Sequence, residues 1–146
     1  MNPLRRFCLA ASYITSIPFL PKPESETELF GLAKYLPAVG TLVGSILALL
    51  ALVCNELLLA PPLVAAALLT FWIVITGAIH LDGLMDTADG VFSHRSRERM
   101  LEIMKDPRAG NFGVVSGVLI ILLKFAALLS LNWHWIFASL LLIPGW

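Results

Sequence analysis

Three apolar runs decide what this chain can fold into. Residues 36–59, 63–79 and 112–131 approach or exceed the roughly 20 residues a helix needs to cross a bilayer. The sixteen residues from Leu63 to Ala78 contain no charged side chain. Charged residues make up 14% of the 146 and hydrophobic ones 58%, where a soluble domain would be about a quarter charged. The reading is an all-α, polytopic integral membrane bundle forming a single membrane domain, with a mean hydropathy of +0.85.

About three full spans are expected, 36–59, 63–79 and 112–131, with Pro61-Pro62 turning the chain between the first two. Residues 3–20 are apolar but short and stopped by Pro18, Pro21 and Pro23, which suits an interfacial or re-entrant helix. That segment resembles a signal peptide but lacks a small-residue cleavage site, so it is read as retained within a 1–35 N-terminal segment. Lys124 interrupts the third span, and Trp133 and Trp135, flanking His134, suit an interfacial belt. Residues 136–146 begin a fourth span of about eleven residues, too short to cross. Cys8 and Cys54 have no partner at metal-ligand spacing and read as apolar packing, as do Gly40-x-x-x-Gly44 and Gly113-x-x-x-Gly117.

The charges cancel, ten basic against ten acidic, so nothing argues for nucleic acid. Their placement is more informative. Nine of the ten Lys and Arg residues lie in 1–35 or 80–110. Two regions separated by two spans share a side, and the excess of positive charge makes that side cytoplasmic. The loop at 80–111 is therefore expected to face the cytoplasm from a cell (inner) membrane.

That loop opens with His80-Leu81-Asp82-Gly83-Leu84-Met85-Asp86-Thr87-Ala88-Asp89-Gly90. On a helix, at about 100° per residue, Asp82, Asp86 and Asp89 fall within an arc of roughly 60°. Mg²⁺ prefers hard oxygen ligands and is commonly held by one or two carboxylates, with substrate phosphates and waters completing the shell. Zn²⁺ fits less well, since only His80 offers nitrogen and it lies off the aspartate face. Solvated residues at a helix end are the plainer explanation. Three aligned carboxylates at a membrane rim favour a cation site.

Ser93 or Ser96 can cap a following helix running to about Lys105, on which Glu98 and Glu102, spaced i, i+4 and continued by Asp106, could add to the acidic site. Alternating Arg and Glu there also reads as a solvated face. Lys105 and Arg108 flank a proline, and Gly110 and Asn111 stand where a helix opens. Helix N-termini with nearby cations suit phosphate.

Together, HLDGLMDTADG at 80–90, Arg99 to Asp106 (RMLEIMKD), Arg108, Gly110, Phe112 and Gly113 closely resemble the cobalamin synthase family. Thr15 to Pro18 and Tyr35-x-Pro37-x-x-Gly40-x-x-x-Gly44 resemble its earlier blocks, although the family usually carries arginine where Ser16 stands. Family members run longer, so this chain is expected to be an N-terminal piece, inactive alone. The resemblance implies an adenosylcobinamide-GDP ribazoletransferase, a transferase of cobalamin biosynthesis. It would join α-ribazole, or its 5′-phosphate, to adenosylcobinamide-GDP and release GMP. Mg²⁺ would be held by Asp82, Asp86 and Asp89, with His80 or one aspartate as base and Lys105, Arg108, Gly110 and Asn111 on phosphate. Membrane lipid is a further partner, and association with copies of itself is left open.

Two other classes compete. CDP-alcohol phosphotransferases and aspartate-rich prenyltransferases also set carboxylate-held Mg²⁺ against a diphosphate. The first needs Ala-Arg after its Asp-Gly and a further Gly-x-x-x-Asp-x-x-x-Asp, a pattern absent here; the second needs two separated aspartate-rich motifs, of which these 146 residues carry one and a longer chain could carry the other. A cation transporter subunit would want its acids within the spans, not at the rim.

Overall fold

The computed structural model describes residues 2–131; the expected belt at Trp133 to Trp135 and the partial span at 136–146 lie outside them. Six α-helices follow in order: α1 (Pro3–Ile14), α2 (Leu36–Glu56), α3 (Pro61–Ile75), α4 (Ile79–Val91), α5 (Arg97–Ile103) and α6 (Asn111–Ser130). Short 3-10 turns at Glu26–Leu29 and Ala33–Tyr35 precede α2, and no strand occurs among the described residues. The chain divides into two units, Met1–Gly77 with Leu128–Trp146, and Ala78–Ala127.

In the first unit, α1 starts where Pro3 has no N–H to lose and the Asn2 side chain accepts from the Leu4 amide at 3.1 Å. Its 12 residues span about 18 Å, too short to cross a bilayer. One stripe of α1, Leu9, Ala10, Ala11 and Ile14, is buried with Leu32 and Val39. Next along α2, Val43, Leu47, Ala51 and Cys54 recur at helical spacing and pack with Val64, Leu68 and Ile75 of α3. Gly40 and Gly44 are buried on α2 as well. Both cysteines are free thiols.

Among the described residues, two stretches are long and apolar enough to cross a membrane: residues 33–56, with mean hydropathy 2.3, and α6, with mean hydropathy 2.5. A third exists if α3 and α4 form one broken span. Val114, Val115, Val118, Leu119, Leu122 and Leu123 of α6 are all exposed, a continuous apolar surface that suits lipid rather than water.

The expected uninterrupted span over 63–79 is corrected by the backbone. Helix α3 stops at Ile75, its 15 residues covering about 22 Å. Thr76 turns its hydroxyl back onto the Trp72 carbonyl at 2.9 Å, and Gly77 and Ala78 follow with φ of +59° and +58°. A left-handed conformation costs little for glycine but strains alanine, and two in succession end a right-handed helix. Hydropathy continues through this break, so counting apolar residues passes over it. The charged loop expected at 80–111 is itself mostly helical, as α4 and α5.

Candidate functional site

The second unit is a three-helix assembly organised by α4. On one side α4 meets α6 at its two glycines. A Cβ on Gly117 would lie 2.9 Å from the Met85 sulfur and 3.8 Å from a Leu81 methyl. A Cβ on Gly113 would lie 2.9 Å from the Met85 carbonyl oxygen and would collide with the Asp89 carboxylate. The Gly113-x-x-x-Gly117 pair therefore does what small residues do between membrane helices, letting backbones approach. Around α4, Gly90 meets α5, where a Cβ would sit 2.7 Å from Met104 Cγ. Phe92 and Phe112 close the end of this packing, ring centroids 5.7 Å apart.

The three aspartates do not share one environment. Taking Met85 as the direction of α6, about 100° per residue puts Asp82 near 60°, Asp86 near 100° and Gly90 near 140°. Asp82 and Asp86 thus occupy the arc between the α6-facing and α5-facing sides of α4. Asp82 is exposed and Asp86 half-buried, and neither has a hydrogen bond or ion pair to its carboxylate among the described residues. Asp89 differs. Its Oδ2 accepts from the Gly110 amide at 2.7 Å and its Oδ1 from the Gly113 amide at 2.8 Å.

That pair of bonds caps α6. The Gly110 carbonyl accepts from Val114 at 3.1 Å, so Gly110 is the N-cap residue, yet it has no side chain to supply the usual acceptor. The oxygen comes instead from α4, and a carboxylate there also opposes the positive end of the helix dipole. Sequence reasoning took Gly110 as a phosphate contact and Asp89 as a metal ligand. In the structure the Gly110 amide donates to Asp89, and each Asp89 oxygen accepts one amide, from Gly110 or Gly113. A glycine at a cap position, where Ser, Thr, Asp or Asn is usual, was the available signal that the acceptor lies elsewhere in the chain.

Glu102 and Asp106 are also committed. Ser96 caps α5, accepting from the Arg99 amide at 3.4 Å. On that helix Arg99 and Glu102 pair at 2.5 Å, and Arg108 grips Asp106 with Nε at 3.0 Å and Nη2 at 2.9 Å. The Arg108 guanidinium holds the Asp106 carboxyl well below the usual carboxylate range, at about 2. Glu102 and Asp106 are thus neutralised by neighbouring arginines. Arg108 remains 87% exposed and keeps guanidinium donors beyond the two it gives Asp106. Lys105 is exposed, without an ion pair among the described residues, and the Asn111 side chain is exposed at the first turn of α6.

His80 is about 160° around α4 from Asp82, on the other side from the aspartates. It feels the charge of Lys124, which shares the α6 stripe of Gly113 and Gly117. In the first unit, Ser16, from the early sequence block, donates its hydroxyl to the Val74 carbonyl at 2.5 Å. Its amide donates to Ile75 at 2.8 Å, so this serine closes the end of α3.

Among the described residues no three His, Cys, Asp or Glu side chains converge as a ready metal cage. Two open carboxylates one helical turn apart are the donor set Mg²⁺ takes when phosphate and water complete its octahedron, so Asp82 and Asp86 fit that ion.

The family model described as cobalamin-5-phosphate synthase matches residues 6–146. A Desulfitobacterium hafniense protein named adenosylcobinamide-GDP ribazoletransferase is 48% identical over 136 residues, covering 90% of this chain and 52% of that protein. Same-named proteins of Pseudomonas putida and Fusobacterium nucleatum are 44% and 43% identical, covering 94% and 88% of this chain and 58% and 49% of theirs. The chain thus spans about half the length of the curated relatives it matches. No solved structure matches it significantly. With that match running from the first helix through the aspartates and the α6 cap, the chain belongs to the cobalamin-5-phosphate synthase family.

Proposed function

We propose that this chain carries the diphosphate-handling part of an adenosylcobinamide-GDP ribazoletransferase. In that reaction a hydroxyl of α-ribazole, or of its 5′-phosphate, forms a bond to the cobinamide-linked phosphorus. The bond from that phosphorus to GMP breaks, and GMP leaves. One observation carries the reading. Asp82 and Asp86 stand open on α4, in the same unit as Lys105 and Arg108, in a chain of this family.

Each group then has a task. Asp82 and Asp86 would hold Mg²⁺, which when bound offsets diphosphate charge and makes phosphorus easier to attack. Lys105 and the outward donors of Arg108 would bind phosphate oxygens, Arg108 kept in place by Asp106. The exposed Asn111 side chain can add one neutral hydrogen bond. The hydroxyl proton would pass to a carboxylate of the α4 pair, because His80 lies on the other side of that helix. The Lys and Arg excess in 1–35 and 80–110 supports a cytoplasmic setting for this chemistry, where nucleotide substrates are found.

The test is Asp82→Asn in the complete protein in lipid, following Mg²⁺-dependent GMP release from adenosylcobinamide-GDP. Turnover is expected to collapse. Unchanged turnover with an unchanged Mg²⁺ requirement would remove Asp82 from the metal site.

A further inference from the structure

Asp82, Asp86 and Asp89 look alike by spacing, yet only Asp89 has both oxygens engaged, at 2.7 and 2.8 Å, by amides 21 and 24 residues further on. We infer that Asp89 is a positioning residue and that the metal is held by Asp82 and Asp86 alone. This inference rests on the proposed diphosphate chemistry for its purpose, but on the α4–α6 geometry for its substance.

The argument begins with what α6 lacks. Its first turn exposes backbone N–H groups that need acceptors, and Gly110 cannot provide one. Asp89 supplies two, and the surrounding packing is shaped around its carboxylate. At both Gly110 and Gly113, a Cβ would overlap Asp89 oxygens. Glycine at these two positions is thus a steric condition for the tether. Phe92 against Phe112 pins the same junction from the next residue pair outward.

The tether matters for chemistry because of what lies between its ends. Chain from 92 to 109 carries α5, Lys105 and Arg108, and Asp89 fastens both ends of that segment. Cutting the tether would leave the Asp82–Asp86 pair intact on α4 while freeing the cations that must meet the same diphosphate. A metal ligand and a tether therefore fail differently.

Four variants of the full chain in detergent or nanodiscs separate the two roles, with Mn²⁺ alone as the metal probe. Asp89→Asn and Asp89→Ala are expected to keep Mn²⁺ affinity within twofold of the parent. Asp82→Asn should weaken it more than tenfold. Amide hydrogen exchange at residues 110–114 should rise about tenfold in Asp89→Asn, which keeps one acceptor, and further in Asp89→Ala. In the complete enzyme, turnover per folded molecule should follow the same order, parent above Asn above Ala, as expected when a near-isosteric side chain partly restores a geometry. Gly110→Ala, which displaces the carboxylate while leaving Asp89 in place, should copy Asp89→Asn in exchange and in Mn²⁺ affinity.

An Asp89→Asn protein that loses Mn²⁺ as severely as Asp82→Asn overturns the inference. So does unchanged exchange at 110–114, or turnover that falls only with the folded fraction. If Asp82→Asn binds Mn²⁺ normally, the metal reading fails instead, while amide exchange still decides whether Asp89 caps α6.

Discussion

Asp82 and Asp86 on α4 and the acids Glu102 and Asp106 around α5 are in opposite states. Around α5, Glu102 and Asp106 each have an arginine within three residues and are paired with it, at 2.5 and 2.9 Å. On α4 no basic side chain stands within three residues of Asp82 or Asp86 in sequence, apart from His80 on another face. Their carboxylates make no ion pair among the described residues. Acids paired locally are neutralised by the chain itself. Acids left unpaired on one face repel each other by a few tenths of a kcal/mol and are relieved only by a cation from outside. The contrast separates candidate ligands from surface charge better than acidity or spacing does.

The sharpest way to break this contrast is to remove one acid from each region. Asp82→Asn and Asp86→Asn should each lower Mg²⁺-dependent GMP release by the complete protein about 100-fold or more, since each would remove half of the ligands proposed for the ion. Glu102→Gln should change the Mg²⁺ concentration for half-maximal rate by less than about twofold, because an exposed i,i+3 ion pair contributes at most a few tenths of a kcal/mol. A Mg²⁺ titration of all three measures this directly. Equal losses would dissolve the distinction between the two regions.

A smaller effect tests the frame that presents the α4 acids. Gly113→Ala would drive a methyl towards the Met85 backbone carbonyl and the Asp89 carboxylate, and a backbone atom on α4 cannot swing aside. A cost of about 1–3 kcal/mol is expected. Gly117→Ala meets chiefly the Met85 thioether, a flexible side chain that can move, so its cost should stay below about 1 kcal/mol. Denaturant unfolding in a fixed detergent would rank the two, and the reverse order would mean α4 and α6 meet through other residues.

Much of this arrangement could be read in the sequence, and the gaps share a cause. The i, i+4, i+7 spacing put the aspartates on one helix face, and Ser96 marked the start of α5, because both depend on residues within a turn or two. The end of α3 at Thr76 and the capping of Gly110 by Asp89 were missed. One depends on backbone torsions that hydropathy does not record, and the other on a contact 21 residues away. Asp89 satisfied the spacing rule for a metal face, and that rule cannot show which lone pairs the fold has already used.

The least disruptive test concerns the paired side of the contrast alone. The Asp106 side chain is 37% exposed; the two hydrogen bonds from the Arg108 side chain, then one from the Arg108 amide at 3.0 Å, outweigh the smaller opposing effect of burial on its acidity. These favour the charged form and bring its pKa from 3.8 to about 2. A carboxyl depressed on folding stabilises the native turn fully above its unfolded pKa and loses that contribution as pH falls towards the folded value. The clasp on Arg108 should therefore persist down to about pH 3 and release between about pH 3 and 2. Carboxyl-carbon NMR of selectively labelled protein would show Asp106 titrating near pH 2. Arg108→Gln should return that midpoint towards 3.8. A midpoint already near 3.8 in the parent would mean that Arg108 is not held by Asp106 in solution. Asp106 would then be as uncommitted as the α4 pair, and unpaired carboxylates would no longer single out Asp82 and Asp86.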